Sequence, residues 1–450
     1  MKKGSITVYL SLVLLLFIGL IGALLESASV QAAKNCKRAD VNRGMECSFA
    51  EYQKELLQEY GIFGLEGTYE TGAYEEAKVL DRIRWYAGGN LTQEISGIRF
   101  LTEEGGAPFF RQATEYMKAK IPVDLPRLTE EKGQWETQKG KEKGIVETET
   151  QSERKLDEIL AEEKTDLEKE ENPITHMKQI KSKGLLELVM PREQQISEKC
   201  LKKEEMLQGR TVNKGYGRFS ERQEKLDEIL FKEYLLEKFP PMTETKGGGA
   251  LDYELEYILY GEPQDRENLK KTVQAIQKLR FVADYLYIQG DGEMRAEAEG
   301  MAAALCTALA VPVATEAAAQ LILLAWAYGE TIMDLRTLLR GGKVPVVKTK
   351  ATWQLQLSQL LKLGTEEDRL EGQDFGEGQT YKGYLRAVLY LKERKELPWR
   401  ALDMIEGNMK GRLGQSFFRS DFCISDLQIK TKAMLPRGIR YTFETEYGYR

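Results

Sequence analysis

The stretch Ser5–Leu25, SITVYLSLVLLLFIGLIGALL, carries no charge over twenty-one residues; Lys2 and Lys3 precede it and Glu26 ends it. At 1.5 Å per residue a helix of this length is about 31 Å long, close to the hydrocarbon thickness of a bilayer. A helix also satisfies its own backbone hydrogen bonds, as lipid requires. The run therefore predicts a single transmembrane helix within an anchor region at residues 1–30, with the lipid bilayer as its partner through residues 5–25.

Lys2 and Lys3 put the short N-terminal side in the cytoplasm by the positive-inside rule, although Lys34, Lys37 and Arg38 weaken the asymmetry. The bulk is then expected outside a cell membrane crossed once. A cleaved signal peptide is the rival reading: the n-region is basic, and Val30-Gln31-Ala32 is a passable cleavage site that would leave a start at Ala33. The apolar run exceeds the usual length of such a segment.

Without the anchor about 420 residues are left, enough for two or three domains. Charged residues make up 30% of the chain with both signs interspersed, and the net charge is −6. No basic stripe is present, so a nucleic-acid partner is not expected. The single histidine, His176, sits in a polar stretch without a carboxylate or cysteine at ligand spacing. Imidazole metal sites and Ser-His-Asp or Cys-His catalysis are therefore not expected, and no catalytic, cofactor-binding or metal-ligating residue is assigned. Five cysteines without a CxxC give no disulfide framework. Cys36 and Cys47 are not expected to pair, because a continuous helix holds them about 16 Å apart.

The expected fold is mainly α, with helical extracellular domains and a small C-terminal antiparallel β element. Residues 31–127 read as a membrane-proximal helical region, with short helices at 74–87 and 109–119. Residues 128–246 form a charged segment, partly disordered or loosely helical, because 128–171 offers little apolar surface to offset ordering entropy. Gly247-Gly248-Gly249 marks a boundary, and 247–450 reads as a helical core domain. Within it lie an amphipathic helix at 265–288, a buried alanine-rich hairpin at 301–328 and a helical pair at 381–414. Glu330, Asp334 and Arg336 read as a charged flank, and Glu254 and Glu256 as helix surface. Alternation at 423–434 and 439–447 around Pro436-Arg437-Gly438 predicts a terminal hairpin.

Several stretches carry a resemblance: KKGSITVYLSLVLLLFIGLIGALLESASVQ, CSFAEYQKELLQEYGIFGL, NPITHMKQIKSKGLLELVMP, LEYILYGEPQDRENLK, LLAWAYGETIMDLRTLLRGGKVPVVKT and YLRAVLYLKER. In this order they resemble a membrane-anchored family of Gram-positive bacteria found at tight-adherence (Tad/Flp) type IV pilus loci. The resemblance implies a TadE- or TadG-like pseudopilin role with pilus-assembly proteins as partners, and no small-molecule substrate. Pilin-like precursors are cut after a glycine that follows a basic leader, so Gly4 and Ser5 are the implied processing site. Many polymerising pilins place a glutamate at the fifth mature position; here that position is Tyr9, which argues against a major pilin. A ligand-binding or sensor module and an anchored hydrolase using paired carboxylates are the alternatives.

Overall fold

The computed structural model describes residues 3–88, 91–120, 125–167, 171–219 and 227–449. The chain is mainly helical, with one long apolar N-terminal helix and a small antiparallel sheet formed largely by C-terminal strands. It divides into two compact units. One comprises residues 1–116, 211–223 and 405–450; the other comprises 117–210 and 224–404.

The first unit is organised by helix α1 (Lys3–Phe49), which runs unbroken from the apolar stretch into the unit's core. Its buried and half-buried positions after Val30 fall at 33, 34, 37, 40, 41, 44, 45, 47, 48 and 49, a stripe of mostly three- and four-residue steps that widens toward Phe49. That stripe meets α3 (Glu76–Ala87) and a sheet built from β1 (Leu65–Glu66), β2 (Leu91–Phe100), β3 (Cys423–Met434) and β4 (Arg440–Gly448). β3 is the central strand and pairs antiparallel with the other three. The β3–β4 hairpin found here is the one the alternation predicts, with Met434 opposite Arg440.

Val41, Met45 and Phe49 of α1, Val79 and Ile83 of α3, and Ile98, Phe100, Leu427, Ile429 and Phe443 of the sheet share one core. Burying each such side chain contributes about 1.5–3 kcal/mol before entropy is subtracted. Gly44 permits the closest approach. A β-carbon there would lie 2.7 Å from the Ile83 carbonyl oxygen and 2.9 Å from Ala87 Cβ, so α3 crosses α1 only because that atom is missing.

In the second unit, α10 (Asp265–Gly290), α11 (Gly292–Ala308) and α12 (Thr315–Leu339) pack together, in agreement with the predicted amphipathic helix and hairpin. α9 (Glu254–Tyr260) lies on α10, and α8 (Asp227–Lys238) packs on α14 (Tyr381–Tyr390). The charged segment differs from its expected looseness. Residues 125–162 form one helix, α5 (Leu125–Glu162), packed against α10 and α12. Leu128, Trp135, Ile145, Leu156 and Leu160 are buried along it, so a sparse set of apolar residues on one face suffices to dock it. Of that segment, residues 168–170 and 220–226 lie outside the described residues. Gly247-Gly248-Gly249 lies within the second unit, and the breaks between units fall at 116/117, 210/211, 223/224 and 404/405 instead.

Candidate functional site

The first half of α1 is the most distinctive surface of the molecule. Its apolar window has a mean hydropathy of 2.8 and none of it is buried, and it is long and apolar enough to cross a membrane. Leu16, at 72% exposed, and Tyr9, at 69%, are typical of it. Gly4 and Ser5 lie in the first turns of this helix, and their side chains lie outside the described residues. Cys36 and Cys47 are both free and lie on the same unbroken helix, as its continuity requires.

Above the bare stretch, β4 runs alongside α1 in the same direction. Glu26 pairs with Arg437 at the hairpin turn, and Arg38 donates to the Tyr441 hydroxyl. Lys34 lies 5.2 Å over the Tyr441 ring, and Phe49 meets Tyr447 with ring centroids 4.9 Å apart. The spacings are comparable: Arg38 to Phe49 is about 17 Å of helix, and Tyr441 to Tyr447 is about 20 Å of strand. The Tyr449 hydroxyl donates to the Phe49 carbonyl and fastens the upper end.

The second unit hides a cluster of charges on α10, α12 and the segment that follows α12. Arg280, Asp284, Glu330, Asp334 and Lys348 all have 0% side-chain exposure. Arg280 donates to Asp334 at 2.9 Å, to Asp284 at 2.6 Å, to the Tyr384 hydroxyl at 3.0 Å and to the Pro345 carbonyl at 2.9 Å. Lys348 bridges Glu330 and Asp334, and the Gln354 and Leu355 amides donate to Glu330. Thr331 donates to the other oxygen of Asp284.

Three acids facing two bases leave the group one charge negative if all are ionised. Burial pushes Asp284 and Glu330 upward; Arg280 and Lys348 respectively pull them down, and the neighbouring acids push them up again, leaving both raised. The expected charged flank of Glu330 and Asp334 is thus interior. These acids are sealed from solvent and committed to bases, a poor arrangement for hydrolysis and a good one for fixing helix register.

Glu254 and Glu256, expected on a helix surface, are also buried, at 3% and 0% exposed, because α9 is enclosed all round, every residue from Glu254 to Leu259 being buried. Glu256 accepts from the Met242 amide and the Tyr381 hydroxyl, both at 2.9 Å. Burial outweighs those bonds and pushes its carboxyl up to about 7. His176 is half-buried, with Nε2 2.9 Å from the Leu363 carbonyl oxygen, a bond that ties down a loop. Among the described residues no group of three or more His, Cys, Asp or Glu side chains is placed to hold a metal ion.

A groove of about 830 Å3 runs between α5, α10 and residues 346–348. Leu286, Tyr287, Val346 and Val347 supply an apolar wall, and Gln134, Thr137 and Gln138 of α5 a polar one. Sequence reasoning misses it because its α5 wall reads as a solvated charged segment.

No curated protein and no solved structure matches the chain. A family model described as a family of unknown function matches residues 163–435, which is more than half of the sequence. The chain belongs to that family, DUF5702.

Proposed function

We propose that the chain is a membrane-anchored structural or assembly component of a tight-adherence type pilus system, pseudopilin-like and without catalysis. The observation that carries this reading is the division of α1: its first half is bare and apolar, and its second half is packed against a sheet. So large a continuous apolar surface needs a cover, and a bilayer matches its length. The cytoplasmic N-terminus and extracellular bulk follow from Lys2 and Lys3, and the pilus context from the sequence resemblance. Crosslinking in membranes of the native host, followed by mass spectrometry, tests it. Resistance to carbonate extraction together with capture of a pilus-assembly component is expected. Release into the soluble fraction, or capture of none of that machinery, would sink the proposal.

The groove between α5 and α10 favours a second reading, an extracellular ligand-binding or sensor module. Pockets of this size with an apolar wall and a few polar groups suit small ligands. Binding of an environment-sensitive apolar dye that is lost in Leu286→Asp would support it.

A further inference from the structure

We propose that the β3–β4 turn is a foot that rests in the anionic headgroup layer of the membrane beside the anchor; the inference rests on the anchored reading above. The Glu26–Arg437 pair places the turn level with the end of the apolar run. A bilayer that covers residues 5–25 therefore has its surface at the height of Arg437.

The composition at that height suits phospholipid headgroups. Met434 is 60% exposed and Arg437 and Arg440 are exposed, while Leu435 is buried beneath them. The turn is held by the Leu435 amide donating to Ile439 and by Gly438 donating to Leu435. In a chain of net charge −6, residues 27–39 of α1 carry only bases (Lys34, Lys37, Arg38), and residues 427–443 carry no acid. The neighbouring acids are Glu26 on Arg437, Asp40 at 3.7 Å from Lys37, Glu94 at 3.6 Å from Lys432, and Glu444 opposite Lys430. Bases beside an apolar tip attract an anionic surface within a Debye length, and Met434 is the apolar side chain the tip inserts.

The full chain with Met434→Trp, reconstituted into vesicles carrying lipids brominated near the top of the acyl chain, tests this. Wild type measured in parallel supplies the signal of the native tryptophans. With phosphatidylglycerol present, the added indole is expected to be blue-shifted and quenched. That quenching should weaken in pure phosphatidylcholine and on adding Arg437→Gln with Arg440→Gln. A chain that floats with the vesicles but leaves the added indole unquenched overturns the foot while the anchor stands. Equal quenching in neutral and anionic vesicles overturns the role given to the bases. Failure to float removes the anchored reading, and the foot with it.

Discussion

Glu26 and Arg437 lie 411 residues apart in the sequence and form an ion pair where the apolar run of α1 ends. Both side chains are at least half exposed. The pair is therefore a marker of position more than a source of stability, since exposed pairs contribute less than about 1 kcal/mol. Arg437→Gln should leave the thermal midpoint of the detergent-solubilised chain nearly unchanged. A drop of many degrees would mean that the pair carries load the geometry does not reveal.

Gly44 should tolerate no larger residue. Gly44→Leu must push α3 away from α1 or bend the helix, and overpacking of this kind costs about 1–3 kcal/mol. Faster hydrogen exchange in residues 76–87 is the measurement. Gly19→Leu is the control: nothing lies within 4 Å of a β-carbon there, so exchange in α3 should not change.

The buried cluster should punish removal of a single partner. Arg280→Met leaves Asp284 and Asp334 without their guanidinium, and breaking a buried pair in this way costs about 3–5 kcal/mol. Four of the five tryptophans, Trp135, Trp326, Trp353 and Trp399, belong to the second unit, and Trp85 of the first is already exposed. The change in tryptophan fluorescence in denaturant therefore reports chiefly the second unit's unfolding. A midpoint equal to wild type would mean the network is not closed as described.

Much of this architecture is legible in the sequence, and the exceptions have physical reasons. α1, α10, the alanine-rich hairpin and β3–β4 each advertise themselves by long, clean periodicity. β2 does not, because its pairing with β3 shifts register between Ile95 and Gly97 and again after Arg99, which interrupts the alternation. α5 hides because its buried residues are up to ten positions apart. The cluster hides best. Arg280 with Asp284 is an opposite-charge pair four residues apart on a helix, as solvated surfaces carry, and Glu330 with Asp334 is a like-charge pair at the same spacing, which water ordinarily relieves. Only the packing of α10 on α12 turns those two surface-like pairs into one interior network. The apolar half of α1 needs no such help, since it is a property of one continuous stretch.

Docking of α5 changes where a protease should cut first. The composition of residues 128–171 predicts early nicking there, but helix α5 is packed along its length by Trp135, Ile145 and Leu156. Lys246 is exposed beside Gly247 and Gly248, which both hold left-handed backbone in a turn. Cleavage needs an extended, accessible segment, so trypsin should cut after Lys246 before it cuts within 128–162. Peptide mapping of early digests decides, and first cuts inside α5 would show that the helix is not docked in solution.

Stability of the second unit should fall as the pH rises from 5 to 8. Glu256 is the clearest contributor: wholly buried, its carboxyl is pushed up to about 7 against the bonds from Met242 and Tyr381. In the unfolded chain the same group titrates near about 4.3. The folded state therefore holds the proton more tightly. The linked stability is complete below the unfolded value and is lost as pH rises through the folded one. Asp284 and Glu330 are shifted the same way, chiefly by burial, and add to the slope. Carboxylates held low by partners, such as Asp368 under Arg336, lose their contribution only at more acid pH and do not reverse the sign in this window. Glu256→Gln can still accept from the Met242 amide and the Tyr381 hydroxyl without titrating, so it should flatten the dependence while keeping the fold. Tryptophan-monitored thermal midpoints at pH 5, 6.5 and 8 in both proteins are the measurement. A wild-type midpoint that rises with pH across this range would show that Glu256 is ionised in its pocket.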